Sequence, residues 1–332
     1  MLDYRTTENR YKYFDKLYEL NLTQGIMPGL VYLYMPALAD INNWDNEEKL
    51  WFAFLNGLTQ NPITSLRLMK QLEHVPPAGA GLTRFREWFN TEWDTLQFDT
   101  DRRYQKKDTV QAIRTYAQLV ADHGSQEKML TGKTYQELWN LVRNNYHSFG
   151  RLSSFSYLEY VHLNGFGADC DDLLFEDKSG SKSHRNGMLF LLGQDHLIWD
   201  KRTNNGFNGD YQDFKTLCAG LNEDSYDFLN GFREAHPDVP NANRFTLESN
   251  LCTFKNHFFG RRYPGVYADM AWERIEWAEE RNQRQFTRVF RDIRTVLPKW
   301  LRDECAMERM TIKQKAALFP KTGVPFRGEF FL

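Results

Sequence analysis

Two segments of the chain collect cations and small hydrogen-bond donors and contain no carboxylate. They are Lys178-Ser-Gly-Ser-Lys182-Ser-His184-Arg185-Asn186-Gly187 and Thr253-Phe-Lys255-Asn-His257-Phe-Phe-Gly260-Arg261-Arg262-Tyr263-Pro264-Gly265. No Asp or Glu occurs between Asp177 and Asp195 or between Glu248 and Asp269, although acids (44) outnumber bases (42) over the whole chain. Such sign segregation in a near-neutral protein marks a place for an anion. Arg supplies a planar fork, Lys a point charge, Ser and Asn short neutral donors, and Gly lets backbone N–H groups come close to the ligand. One such segment alone reads as a solvated loop between helices. Two in one chain, each beside aromatic residues, point to phosphate.

The elements that must position these residues read as helices almost throughout. Asp45 with Glu48 forms a capping-box pattern ahead of Trp51, Phe52 and Leu55, and Asn61-Pro62 opens a second helix carrying Ile63, Leu66, Met69 and Leu72. Val110, Ile113, Ala117 and Val120 share a face that ends at Gly124, and Thr134 with Glu137 caps the next helix. Leu152, Phe155, Leu158 and Val161 form a further stripe; Phe245 to Phe259 forms another; Tyr267 to Leu297 reads as one long helix stopped by Pro298. Met188 to Trp199 reads equally as a short apolar hairpin or as a helix that stops at Gly193. The expected fold is mostly α, a multi-helix globular arrangement with little or no β structure, for which a DNA-glycosylase-like form is one candidate. The expected organisation is an N-terminal helical lobe over 1–125, a helical catalytic lobe over 126–310 packed with it, and a basic tail over 311–332.

Composition narrows the function classes. Of the 332 residues 41% are hydrophobic, enough for a sizeable core, and the net charge of −2 leaves any nucleic-acid contact to a local patch. Cys170, Cys218, Cys252 and Cys305 are widely spaced, with neither a C-x-x-C nor a Cys/His ligand pattern, so reduced thiols are expected and a structural zinc is not. The charged N-terminus and the lack of a long apolar run predict a cytoplasmic protein. Gly132-Lys133-Thr134 imitates the end of a P-loop, but the first glycine would fall at Glu127 and no apolar strand precedes it. Asn164-Gly165-Phe166-Gly167-Ala168-Asp169 has the form of a helix-hairpin-helix turn, a pattern more often met as a plain turn.

Four blocks, in order, resemble the amino acid:DNA transferases of bacteriophages. They are Trp51-Phe-Ala-Phe-Leu55-Asn56-Gly57-Leu-Thr59-Gln60-Asn61-Pro62; Phe149-Gly150-Arg151-Leu-Ser-Ser-Phe155-Ser156-Tyr157-Leu-Glu159-Tyr160; Gly180-Ser-Lys-Ser-His184-Arg185-Asn186-Gly187; and Thr246-Leu-Glu248-Ser-Asn-Leu-Cys252-Thr-Phe-Lys255 with Gly260-Arg-Arg-Tyr-Pro-Gly-Val-Tyr267-Ala-Asp269. The resemblance covers about Leu50 to Arg274. It implies action on DNA in which 5-hydroxymethyluracil has been converted to 5-pyrophosphoryloxymethyluracil, the diphosphate being displaced by a free amino acid, with glycine or serine expected, in the cytoplasm of an infected bacterial host. Sister families of thymine pyrophosphorylases use putrescine or glutamate. A helical DNA-binding protein without catalysis, or a glycosylase-like one, is the alternative.

That chemistry needs cations on the departing diphosphate, a positioned nucleophile and a base. For the diphosphate and DNA backbone the candidates are Ser181, Lys182, Ser183, Arg185, Asn186, Lys255, Arg261, Arg262 and Arg151. Glu248, Glu159, His184 and Asp269 are candidates for the base or for the partner of the incoming ammonium; the bland reading of each Glu is a helix-face salt bridge. Asn56, Gln60 and Asn61 could read base edges, and Tyr157 or Tyr263 could stack on an extruded base. Glu248 and Cys252 stand four apart and so share a helix face. A thiolate attack on the pyrimidine is conceivable there, although a Cys beside Leu251 usually serves packing. No cofactor is identified from the sequence, and metal dependence is left open.

Overall fold

The computed structural model describes residues 6–177, 182–198, 211–297 and 310–322, and among them every regular element is helical, with no strand. In chain order the first helices are α1 (Thr7–Thr23), α2 (Val31–Asn42), α3 (Asn46–Thr59), α4 (Pro62–Gln71), α5 (Thr83–Thr91) and α6 (Thr109–His123). There follow α7 (Gln126–Leu130), α8 (Tyr135–Asn145), α9 (Arg151–Leu163), α10 (Lys182–Leu191) and α11 (Tyr211–Ala235). The last are α12 (Arg244–Phe258), α13 (Val266–Glu280), α14 (Arg288–Val296) and α15 (Ile312–Thr322). None is long and apolar enough to cross a membrane.

Several boundaries follow from local chemistry. The Asp45 carboxylate accepts from the Glu48 amide at 2.8 Å while Glu48 accepts from the Asp45 amide at 2.9 Å, which closes the N-terminus of α3. Thr134 and Glu137 do the same for α8. Asn61 caps α4, accepting from the Thr64 amide at 3.0 Å, with Pro62 at the first helical position where its missing N–H costs nothing. The apolar stretch from Met188 is the end of α10, stopped at Gly193 (φ 72°), and not a hairpin. The single long helix expected from Tyr267 to Leu297 is instead two. Asn282 adopts φ 59°, α13 ends before it, and a 3-10 turn over Arg284–Phe286 leads into α14. Asn tolerates this left-handed backbone better than most residues, which is what allows the break.

The helices form two compact units. One is built from 31–169 and 274–292, the other from the described parts of 1–30, 170–273 and 293–332. In the first unit α3 is buried on every side, from Leu50 to Thr59, as expected of a helix apolar all round. It packs against α4 and α9, and Phe54 stacks on Tyr116 with ring centroids 3.8 Å apart. In the second unit α1 lies with α10 and α12. Phe14, Phe228 and Phe254 meet at 4.8–5.1 Å between centroids, and the Tyr18 hydroxyl reaches Thr246 Oγ1 at 2.7 Å. The turn at Asn164–Asp169 follows α9 and leads into a non-helical stretch through Asp177, so no helix-hairpin-helix forms across the described residues.

Candidate active site

In the second unit α10 packs tightly against α12. A Cβ added to Gly187 would lie 2.0 Å from the Leu251 carbonyl oxygen, a distance only a side chain of hydrogen permits. One turn before Gly187 stands His184, and on the facing helix Glu248 stands one turn before Leu251 while Cys252 follows Leu251 directly. The glycine thus sets how near these side chains come.

His184 is fully buried, and Glu248 is 3% exposed. His184 Nδ1 lies 3.2 Å from Glu248 Oε1, and the ligand atoms of His184, Glu248 and Cys252 all lie within 4.8 Å of one another. The other ring nitrogen, Nε2, is 2.9 Å from the Leu173 carbonyl oxygen, and the Phe175 ring stacks on the imidazole with centroids 5.1 Å apart. A carbonyl only accepts, so Nε2 carries the proton and Nδ1 is the nitrogen turned to the carboxylate. Cys252 is half-buried and gives this cluster its accessible side.

The second basic segment reaches the same cluster through Tyr267, a residue the sequence reasoning did not single out. Its hydroxyl interacts with Thr253 and Arg262, and it lies near Cys252; burial pushes its pKa up to about 12, with Arg262 opposing the rise. Arg262 is half-buried, its Nη1 donating to the Arg261 carbonyl at 3.2 Å, and Arg261 is exposed. Lys255 follows Cys252 by one turn, half-buried, with Nζ 6.0 Å from the Phe259 ring centroid.

Other expected site residues stand elsewhere. Arg185 is 2% exposed, donates to the Phe175 carbonyl at 3.0 Å and lies 5.1 Å from the Phe214 ring centroid, so it braces the interior. Asn186 is likewise buried, Lys182 is half-buried and Ser183 exposed; Ser181 lies outside the described residues. Tyr263 is buried and donates to Asp269, whose Oδ2 also accepts from Lys315 Nζ at 2.8 Å. That pair ties α13 to α15, and nothing in the sequence spacing announced Lys315 as the partner.

The remaining candidates belong to the first unit. Glu159 is 6% exposed and accepts from the Tyr32 hydroxyl at 3.1 Å. Asn56 donates to the Tyr34 hydroxyl at 2.7 Å, and Asn61 donates to Asp99, whose carboxylate also holds Arg274 at 2.6 Å. Gln60 ends α3 with φ 55° and donates to the Gly57 carbonyl at 3.4 Å. Tyr157 is enclosed, bonded to Tyr146 at 3.2 Å, and burial pushes its pKa up to about 12. Arg151 is 5% exposed, with its guanidinium 5.3 Å from the Phe155 ring centroid. The structure therefore places Asn56, Asn61, Tyr157 and Glu159 in the interior polar network of their own unit, with their polar atoms engaged within it.

Residues 32–263 match the family model described as amino acid:DNA transferase. A protein of Salmonella phage ViI described as a serinyltransferase is 26% identical over 301 residues, which cover 84% of this chain and 71% of that protein. No solved structure matches significantly. The matched span takes in both α10 and α12 as well as the α3–α9 core, and the chain belongs to the amino acid:DNA transferase family, enzymes that transfer an amino acid in the modification of DNA.

Proposed function

We propose that the enzyme replaces the diphosphate of 5-pyrophosphoryloxymethyluracil in DNA with serine, acting in the cytoplasm of an infected host, with glycine as the competing amino acid. The observation that carries the reading is the buried His184–Glu248 contact, set between helices whose flanking segments hold cations and no carboxylate. The similarity to the serinyltransferase of Salmonella phage ViI supports serine.

In this reading the amine or hydroxyl of serine attacks the exocyclic methylene carbon of the base. A new bond to that carbon forms, the carbon–oxygen bond to diphosphate breaks, and diphosphate leaves with the electron pair. The proton of the nucleophile passes to the His184–Glu248 pair, which burial and fixed geometry suit to this work. Arg261, Arg262, Lys255 and Lys182 take the charge that develops on the leaving group, where donors held in place are worth most. Arg185 fixes the position of α10 from behind and does not touch the phosphate. Tyr263 and Asp269, bound to each other, shape the loop that carries Arg261 and Arg262. The methylene stands on the major-groove edge of the base, and in this reading the base is extruded from the stack to bring it to the His184–Glu248 pair.

The test is to incubate the protein with duplex DNA carrying 5-pyrophosphoryloxymethyluracil and an equimolar mixture of amino acids, digest to nucleosides and weigh them. The expected product has gained serine and lost diphosphate. Unchanged nucleosides, together with equal affinity for plain and pyrophosphorylated DNA, would show a backbone binder instead.

A further inference from the structure

We propose that His184, Glu248 and Cys252 form a binding site for one divalent cation of the zinc class. The three residues offer an imidazole nitrogen, a carboxylate oxygen and a sulfur within 4.8 Å of one another. This mixed donor set suits zinc or cobalt and disfavours magnesium and calcium, which take oxygen ligands.

The arrangement of the histidine supports the assignment. Its Nε2–H is anchored on the Leu173 carbonyl at 2.9 Å, the outer contact that metal-binding histidines characteristically make, and this turns the Nδ1 lone pair toward Glu248 and Cys252. The separation of Nδ1 and Oε1, 3.2 Å, is close to the roughly 3.3 Å expected between two ligands bonded at about 2.0–2.1 Å to one tetrahedral ion. Two such atoms so close, on side chains only 0% and 4% exposed, need either a proton or a cation between them, and the nearby sulfur of Cys252 favours the cation. Glu248 and Cys252 stand four apart on α12, so both reach one point, while the Gly187 contact brings the third ligand in from α10. One carboxylate and one thiolate balance a divalent charge.

Three protein ligands leave a fourth position, on the half-buried Cys252 side, for an incoming donor atom. An ion there would lower the pKa of a bound amine or hydroxyl in place of the bare carboxylate. The site itself does not depend on the transferase substrate, and its test reads metal binding alone.

The full chain, stripped with a chelator and titrated with cobalt(II), is expected to bind a single equivalent, with the visible absorption of a tetrahedral ion and a thiolate-to-cobalt charge-transfer band in the near ultraviolet. Cys252→Ser should keep its helical circular dichroism and lose the charge-transfer band. Glu248→Gln should bind cobalt at least about tenfold more weakly. A stripped wild-type chain that takes up no cobalt or zinc would overturn the proposal and leave a protonated His184–Glu248 ion pair in its place. So would a bound cobalt spectrum identical in wild type and folded Cys252→Ser. Loss of the metal site on these grounds leaves the transferase reading standing, and absence of serine transfer leaves the metal site standing.

Discussion

Replacing Gly187 with Ala tests the helix pair on which the site is built. The added Cβ would meet the Leu251 carbonyl oxygen at 2.0 Å and its carbon at 2.7 Å. Both are backbone atoms, so no side-chain rotation relieves the clash, and α10 must recede from α12 by about 1 Å to reach even the tightest tolerated contact. A uniform recession of that size takes His184 and Glu248 from 3.2 Å to about 4 Å, beyond hydrogen-bond reach. Overpacking of this kind costs about 1–3 kcal/mol or more, of which the better helix propensity of Ala returns at most about 1 kcal/mol. A net loss on the order of 2 kcal/mol lowers Tm by roughly 4–8 °C in a unit of this size. Gly231→Ala is the control, since a Cβ there meets nothing within 4 Å and the substitution should be neutral or slightly stabilising. The assays are calorimetry and, at a temperature where the variant is folded, serine transfer, which should fall by at least about tenfold. A Gly187→Ala protein with wild-type Tm and turnover would refute the close packing and with it the shared site.

Further outcomes follow from individual side chains. Arg261→Ala, at an exposed position, should keep Tm and lower turnover on pyrophosphorylated DNA by about tenfold, whereas Arg185→Ala, which strips the Phe175 carbonyl of its buried donor, should lower Tm measurably; reversed effects would exchange their roles. His257 is held neutral, its pKa pulled down to about 3 by burial first and Arg262 second. Its unfolded form binds a proton below about 6.5, so stability is full above that pH and is lost progressively as pH falls toward 3. Urea midpoints of wild type should therefore drop more steeply over that window than those of His257→Gln, and parallel curves would exclude His257 as the cause. Arg274→Met leaves the Asp99 carboxylate buried without its cation and should cost about 3–5 kcal/mol by denaturant titration, an effect much below 1 kcal/mol contradicting the buried pair.

Features that depend on residues three or four apart could be read before any coordinates. Asp45 with Glu48, Thr134 with Glu137 and Asn61 with Pro62 each mark a helix start because the capping bonds are local. The shared face of Glu248 and Cys252 was legible for the same reason. What the local pattern could not carry was the identity of distant partners. A basic residue in a carboxylate-free segment reads as a phosphate ligand, yet Arg185 is turned inward because the Phe175 carbonyl and the Phe214 ring receive it. The Leu173 carbonyl that orients His184 is a backbone atom in a non-helical stretch and has no signature at all. From the sequence Gly187 reads as a glycine that lets backbone N–H groups come close to an anion, whereas its missing side chain is what α12 leans on. The family resemblance located the α10 and α12 blocks, and only the packing ranked the residues within them.

The path of the chain through the unit that holds α10 and α12 bears on how the protein is made. α1 finds hydrogen-bond partners 180 to 244 residues further along, where Arg10 meets Phe190 and Asp195, Tyr18 meets Thr246 and Tyr13 meets His257. Emerging from a ribosome, α1 has therefore no described helix of its own unit to dock on until α10 has been made, more than half way along the polypeptide, whereas most of the α3-centred unit is contiguous and can condense earlier. Tyr13, Phe14 and Tyr18, all wholly buried in the finished molecule, travel exposed through that interval. Nascent chains paused before α10 are then the species most prone to sticking and to chaperone capture, and the α10–α12 pair is completed only later still.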